Sequence, residues 1–105
     1  MIHHVVYFQL RPGVDSATLE DLVRNSRSLL LKIPEVLSVR SGRNIDPAAQ
    51  WQFYFSVEVD SLEKLRVTLD DPQHLKLMEK WIKPNTSDSF AMDYELDPSR
   101  NLKYS

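Results

Sequence analysis

The 105 residues make one domain with room for a single hydrophobic core. A net charge of -2 argues against the basic surface of a nucleic-acid binder, and the lack of cysteine excludes disulfides, thiolate nucleophiles and cysteine-held metals. Two glycines are too few for a phosphate-cradling loop, and no apolar run approaches the ~20 residues of a membrane span.

Met1 to Leu10 alternates, with Ile2, His4, Val6, Phe8 and Leu10 on one face and His3, Val5, Tyr7 and Gln9 on the other, which is a strand ended by Arg11-Pro12-Gly13. No basic and apolar leader precedes it, so the expected location is the cytoplasm. From Asp15 the period becomes helical: Leu19, Leu22, Val23, Ser26, Leu29, Leu30 and Ile33 share a face, Asp15 or Ser16 caps it, and Pro34 stops it. Val36 to Asn44 reads as a second strand, with Gly42 suggesting a bulge. After the Asp46-Pro47 turn, Gln50 to Val59 alternates again, with Trp51, Phe53, Phe55, Val57 and Val59 on one side.

Asp60-Ser61-Leu62-Glu63 resembles a capping box opening a short helix with Leu62, Leu65 and Leu69 inward. Asp71-Pro72 breaks that helix and starts another, with Asp71 as cap and the proline in the first turn. Its inward residues are expected to be Leu75, Met78 and Ile82, with Leu77 and Trp81 adjoining, and Lys83-Pro84 closes it. Ser89 to Leu96 is a last strand, and residues 98–105 read as a polar tail after a domain spanning 1–97. The order β-α-β-β-α-α-β is the split βαβ arrangement of an α+β, ferredoxin-like subunit with a four-stranded antiparallel sheet.

Helices in such a subunit cover one sheet face. Phe8, Phe53, Phe55, Phe90 and Met92 are expected beneath them, and Val5, Tyr7, Tyr54, Ser56 and Ala91 on the other side. A Val and Tyr patch of that kind points to a second copy covering it, two sheets meeting face to face in a homodimer.

Several segments together resemble the stress-responsive dimeric α/β-barrel family: Ile2-His3-His4-Val5-Val6-Tyr7-Phe8, Ile33-Pro34-Glu35-Val36, Gly42-Arg43-Asn44, Asp71-Pro72-Gln73-His74 and Lys83-Pro84. Their order and spacing carry the likeness up to Asp97. The resemblance implies a homodimer whose sheets form a central barrel. It also implies a link to stress, although many members have no assigned activity. One plant member cyclises a polyketide without cofactor, using histidines and tyrosines. On its pattern, His4 matches the first-strand histidine and His74 the turn histidine. A third histidine position falls on Phe53, and two tyrosine positions fall on Ser26 and Thr68.

His74, in the first turn of its helix, is a candidate general base because the positive helix end favours a neutral imidazole. His4 is its candidate partner, positioning or polarising a carbonyl. The plainer alternatives are a capping or packing role for His74 and a core hydrogen bond for His4. His3 should face the opposite side of the strand, so the adjacent histidines are not a metal clamp, and no metal or other cofactor is expected. Ser26, Phe53, Phe55, Phe90 and Trp81 are the candidate lining of a small apolar pocket between sheet and helices, or else plain core. Arg40 and Arg43 could attract an anion or simply form surface salt bridges.

Four functions fit these residues. The first is a homodimer binding a small hydrophobic molecule, with no nucleic-acid or membrane partner. The second is a cofactor-independent lyase or cyclase using His74 with His4. The third is a cofactor-free monooxygenase-like member of the wider fold, and the fourth is a purely structural dimer.

Overall fold

A computed structural model describes residues 1–97, and the expected tail at 98–105 lies outside the described residues. Its elements are β1 (Ile2–Leu10), α1 (Ser16–Leu30), β2 (Ser38–Arg43), β3 (Phe53–Val59), α2 (Leu62–Asp70) and α3 (Pro72–Leu77). A π-helical stretch (Met78–Ile82), the single turn α4 (Lys83–Asn85) and β4 (Thr86–Glu95) complete the described chain. The strands form one antiparallel sheet in the order β2-β3-β1-β4, the ferredoxin-like arrangement.

Local chemistry sets the helix starts. Asp15 accepts from the Thr18 N–H at 2.8 Å, and Asp71 accepts from the Gln73 N–H at 2.8 Å with Pro72 beginning α3. The cap of α2 is Ser61, which accepts from the Lys64 N–H at 3.2 Å. With lysine in the third helical position there is no reciprocal capping box, a correction to the reading of Asp60 to Glu63. Gly42 makes no bulge, since β2 and β3 pair without a register shift. A Cβ there would meet the Tyr54 ring at 3.0 Å, so the glycine makes room for that ring.

The core lies between the sheet and the helices. Phe8 stacks on Phe53 at 5.2 Å and tilts against Phe55 at 5.3 Å, beneath Leu22, Leu30, Ile33, Leu77 and Ile82. The helical stripes differ from expectation in two places. Leu62 is exposed, and α2 buries Leu65, as expected, together with Thr68. Leu75 is also exposed, while Leu77 is wholly buried. The π-helical stretch explains this shift: the Lys83 N–H reaches back to the Met78 carbonyl, five residues earlier, and the wider turn brings Leu77 and Ile82 to the same side.

The largest correction concerns β4. Its register sets Phe90 opposite Tyr7 and Met92 opposite Val5, so both lie on the outer face of the sheet, and Ala91 lies on the helix side. Phe90 therefore cannot line a pocket between sheet and helices. A period of two shows that residues alternate but not which set faces inward. As an edge strand, β4 carries Ser89, Ala91, Asp93 and Glu95 on its helix side, all exposed, and turns its bulky residues outward. Trp51 precedes β3 and packs edge-on against Phe90, with centroids 4.7 Å apart. Tyr7 stacks on Phe90 at 5.0 Å and on Tyr54 at 6.1 Å, completing an aromatic row across the outer face.

Substituting the two leucines of α3 separates the observed stripe from the expected one. Leu77→Ala should cost about 2–5 kcal/mol in urea unfolding, and Leu75→Ala within about 0.5 kcal/mol.

Candidate functional site

β1 is interior to the sheet, and His4 stands on its helix side, in register with Val57 of β3 and Asp93 of β4. The imidazole is buried and its Nδ1 is hydrogen-bonded to Oδ1 of Asp93, whose side chain is half exposed. An ionised carboxylate only accepts, so Nδ1 carries the proton. In the neutral ring, Nε2 is then the free base position. Asp93 thus fixes both the orientation and the tautomer of His4.

His74 arrives from the other layer. The cap at Asp71 and the proline after it fix the first turn of α3, and His74 is its third residue. The ring is half-buried; its Nδ1 is fully buried and makes no hydrogen bond. Burial holds its pKa below the ordinary 6.5, because a charged ring would lose hydration. Hydrogen bonding of the ring toward the backbone of Leu69 acts in the opposite sense, and the charge of His4 lowers the value further. Asp71 and Asp70 pull weakly upward. His4 and His74, seventy residues apart in sequence, thus stand on the sheet and helix layers within range of each other's charge, one tied to a carboxylate and the other with a buried Nδ1 that makes no hydrogen bond.

The remaining candidates are dispersed. Phe53 and Phe55 are fully buried in the core, with Trp81 packed against its edge. Ser26 is fully buried on α1, and its Oγ is the other buried side-chain atom without a partner among the described residues. Thr68 spends its hydroxyl proton on the Lys64 carbonyl at 2.8 Å. His3 points to the outer face, with Nδ1 4.0 Å from Glu58. Asp93 was not among the residues expected from sequence; β4 also carries Asp88 and Glu95, so nothing in the strand singled it out. Among the described residues no three histidine, aspartate or glutamate side chains stand together as metal ligands. No described helix is long and apolar enough to cross a membrane.

The family model for the stress responsive A/B barrel domain matches residues 2–96. No curated protein matches the chain. Among solved structures, a ferredoxin-like protein of that family from Mesorhizobium loti is 23% identical, with a TM-score of 0.77, covering 90% of this chain and 95% of its own. A dimeric ferredoxin-like protein of unknown function from Thermobifida fusca is 23% identical, with a TM-score of 0.80 and 90% of each chain covered. The hydroxynitrile lyase of Passiflora edulis is 13% identical, with a TM-score of 0.77, covering 92% of this chain and 94% of its own. At these identities the likeness establishes the fold.

The lowered pKa of His74 has a signed consequence for stability. Below pH 6.5 the unfolded chain takes up a proton that folded His74 resists, so this contribution is complete above 6.5 and declines as the pH falls toward the folded value. Urea midpoints at about pH 7.5 and about pH 5.5 should differ more in the wild type than in His74→Gln.

Proposed function

The chain belongs to the stress responsive A/B barrel domain family, and from that premise we propose a homodimer that performs proton-transfer chemistry on a small hydrophobic molecule without a cofactor, in a lyase- or cyclase-type reaction. The observation that carries this reading is the buried, unpartnered Nδ1 of His74, a ring within electrostatic range of the His4 that Asp93 holds. A neutral imidazole is the usual general base near neutral pH. His74 takes a proton from a hydroxyl or an activated carbon. His4, held through Nδ1 by Asp93, exchanges a proton or positions the substrate through Nε2.

Hydroxynitrile cleavage serves as a probe of this class. His74 accepts the hydroxyl proton, the oxygen electron pair becomes the carbonyl bond, and cyanide leaves with the electrons of the broken C–C bond and takes up a proton. No oxidant or reductant enters. With mandelonitrile as the probe, His74→Gln should lower turnover about 10²-fold or more, with its unfolding midpoint near neutral pH unchanged. Asp93→Asn should lower it as well and alter its pH profile, because an amide no longer fixes the tautomer of His4. Equal rates in wild type and His74→Gln would remove the histidine from the reaction.

A second reading, a purely structural dimer with a filled core, is supported by the complete burial of Phe53, Phe55 and Ser26. Under that reading wild type and His74→Gln alike leave the probe unchanged.

The dimer is supported by the outer face. Tyr7, Tyr54, Trp51 and Phe90 form a continuous aromatic row there, and Met92 and Tyr94 are about half exposed. Solved proteins of like fold are described as dimeric. Sedimentation equilibrium at micromolar concentration should return a dimer for the wild type and a monomer for Tyr7→Glu or Phe90→Asp.

A further inference from the structure

Two open grooves lie beside α1, and neither includes His4 or His74. Arg43, the last residue of β2, borders both. The smaller groove, about 330 Å³, gathers Arg24 and Arg27 of α1 with Arg43. Glu20 is the carboxylate that lines it, and Arg24 holds it at 2.6 Å. Arg27 and Arg43 are exposed and form no ion pair among the described residues. Arg43 is instead steadied by Ser16 at the start of α1, with Nη1 donating to Oγ at 3.3 Å. Two guanidinium groups without an ion pair thus line one groove on a chain of net charge -2, a lining that suits an anionic group.

The larger groove, about 640 Å³, shares Arg43 as a lining residue and has Leu10, Val14, Leu19, Ile45 and Pro47 as its apolar wall. Ile45 is 100% exposed, an apolar side chain with nothing against it in the described chain. Asp15 also lines this groove; the Thr18 N–H donates to its carboxylate at 2.8 Å and holds its pKa below the usual value, so it brings a negative charge to the rim. Five apolar residues line this groove together with Asp15, Ser16, Asn44 and Gln52, and Arg43 is its cationic residue.

We infer that this double groove binds a free amphipathic anion, with its carboxylate or phosphate head on Arg27 and Arg43 and its alkyl or aryl body along Leu10, Val14, Leu19, Ile45 and Pro47. The site is separate from the histidine pair, and the inference stands whether or not the proposed reaction holds. Each groove falls within the ~300–1,000 Å³ typical of small-molecule sites. Both guanidinium groups are solvent-facing, so affinity should fall as salt is added.

The test is calorimetric titration of the full chain with octyl phosphate below its micelle concentration. Arg27→Glu with Arg43→Glu should weaken binding by roughly tenfold or more without moving the unfolding midpoint. Ile45→Asn should weaken it by a few-fold. Octanol and inorganic phosphate, carrying only one half of the ligand each, should bind at least roughly tenfold more weakly than octyl phosphate. The chain should remain in the supernatant when phosphatidylglycerol vesicles are pelleted.

Any one of the following results overturns the inference. Octyl phosphate fails to bind, or binds equally well to the double arginine variant. His74→Gln abolishes binding, which would put the ligand at the histidines. Inorganic phosphate or octanol matches octyl phosphate. The chain co-sediments with the vesicles, which would make the partner a bilayer and not a free amphiphile.

Discussion

The antiparallel register between β1 and β4 is the constraint on which the rest of this molecule depends. Because side chains alternate across a strand, pairing His4 with Asp93 on the helix side also pairs Val5 with Met92 and Tyr7 with Phe90 on the other. A slip of one residue would turn Asp93 outward, leave His4 without its carboxylate and break the aromatic row at once. The histidine site and the proposed subunit interface are two sides of a single alignment. The burial of Phe8 under the helices and of Val5 within the outer face holds that alignment from both sides.

The helical layer supplies the second imidazole by local means. Asp71 and Pro72 stop α2 and start α3 within two residues, so His74 stands at a fixed distance from a helix start. The wide turn that follows keeps Leu77 and Ile82 in the core, and this anchors α3 above the sheet. Burial then keeps the ring uncharged, its Nδ1 unpartnered. Desolvation dominates here, ahead of the neighbouring charges.

Much of the fold was legible in the sequence because the hydrophobic period changes cleanly between elements. The apolar stripe of α1, the Asp71-Pro72 junction and the alternation of β1 and β3 each point to one structure. The site was legible only in part. His4 and His74 stood out as rare titratable residues on ordered elements, but their proximity depends on strand order and helix packing, which no local pattern encodes. Asp93 was missed, and Phe90 assigned to the wrong face, for one reason. A period of two is symmetric under exchange of faces, and an edge strand beyond the helices has no buried side to break the symmetry. Leu75 and Leu77 were exchanged because the spacing of an ordinary helix fails where a π-helical stretch adds a residue to the turn.

β4 occupies an outer position in the sheet, bonded along one side only, to β1. The carboxylate that orients His4 thus rests on an edge strand, close to its final residue at Glu95. Peeling of that margin by a few residues would leave the core intact and yet disarm the imidazole. Competence of the site can therefore be lost well below the free energy of global unfolding, and amide protection along residues 91–95 would report on it more sensitively than any melting curve.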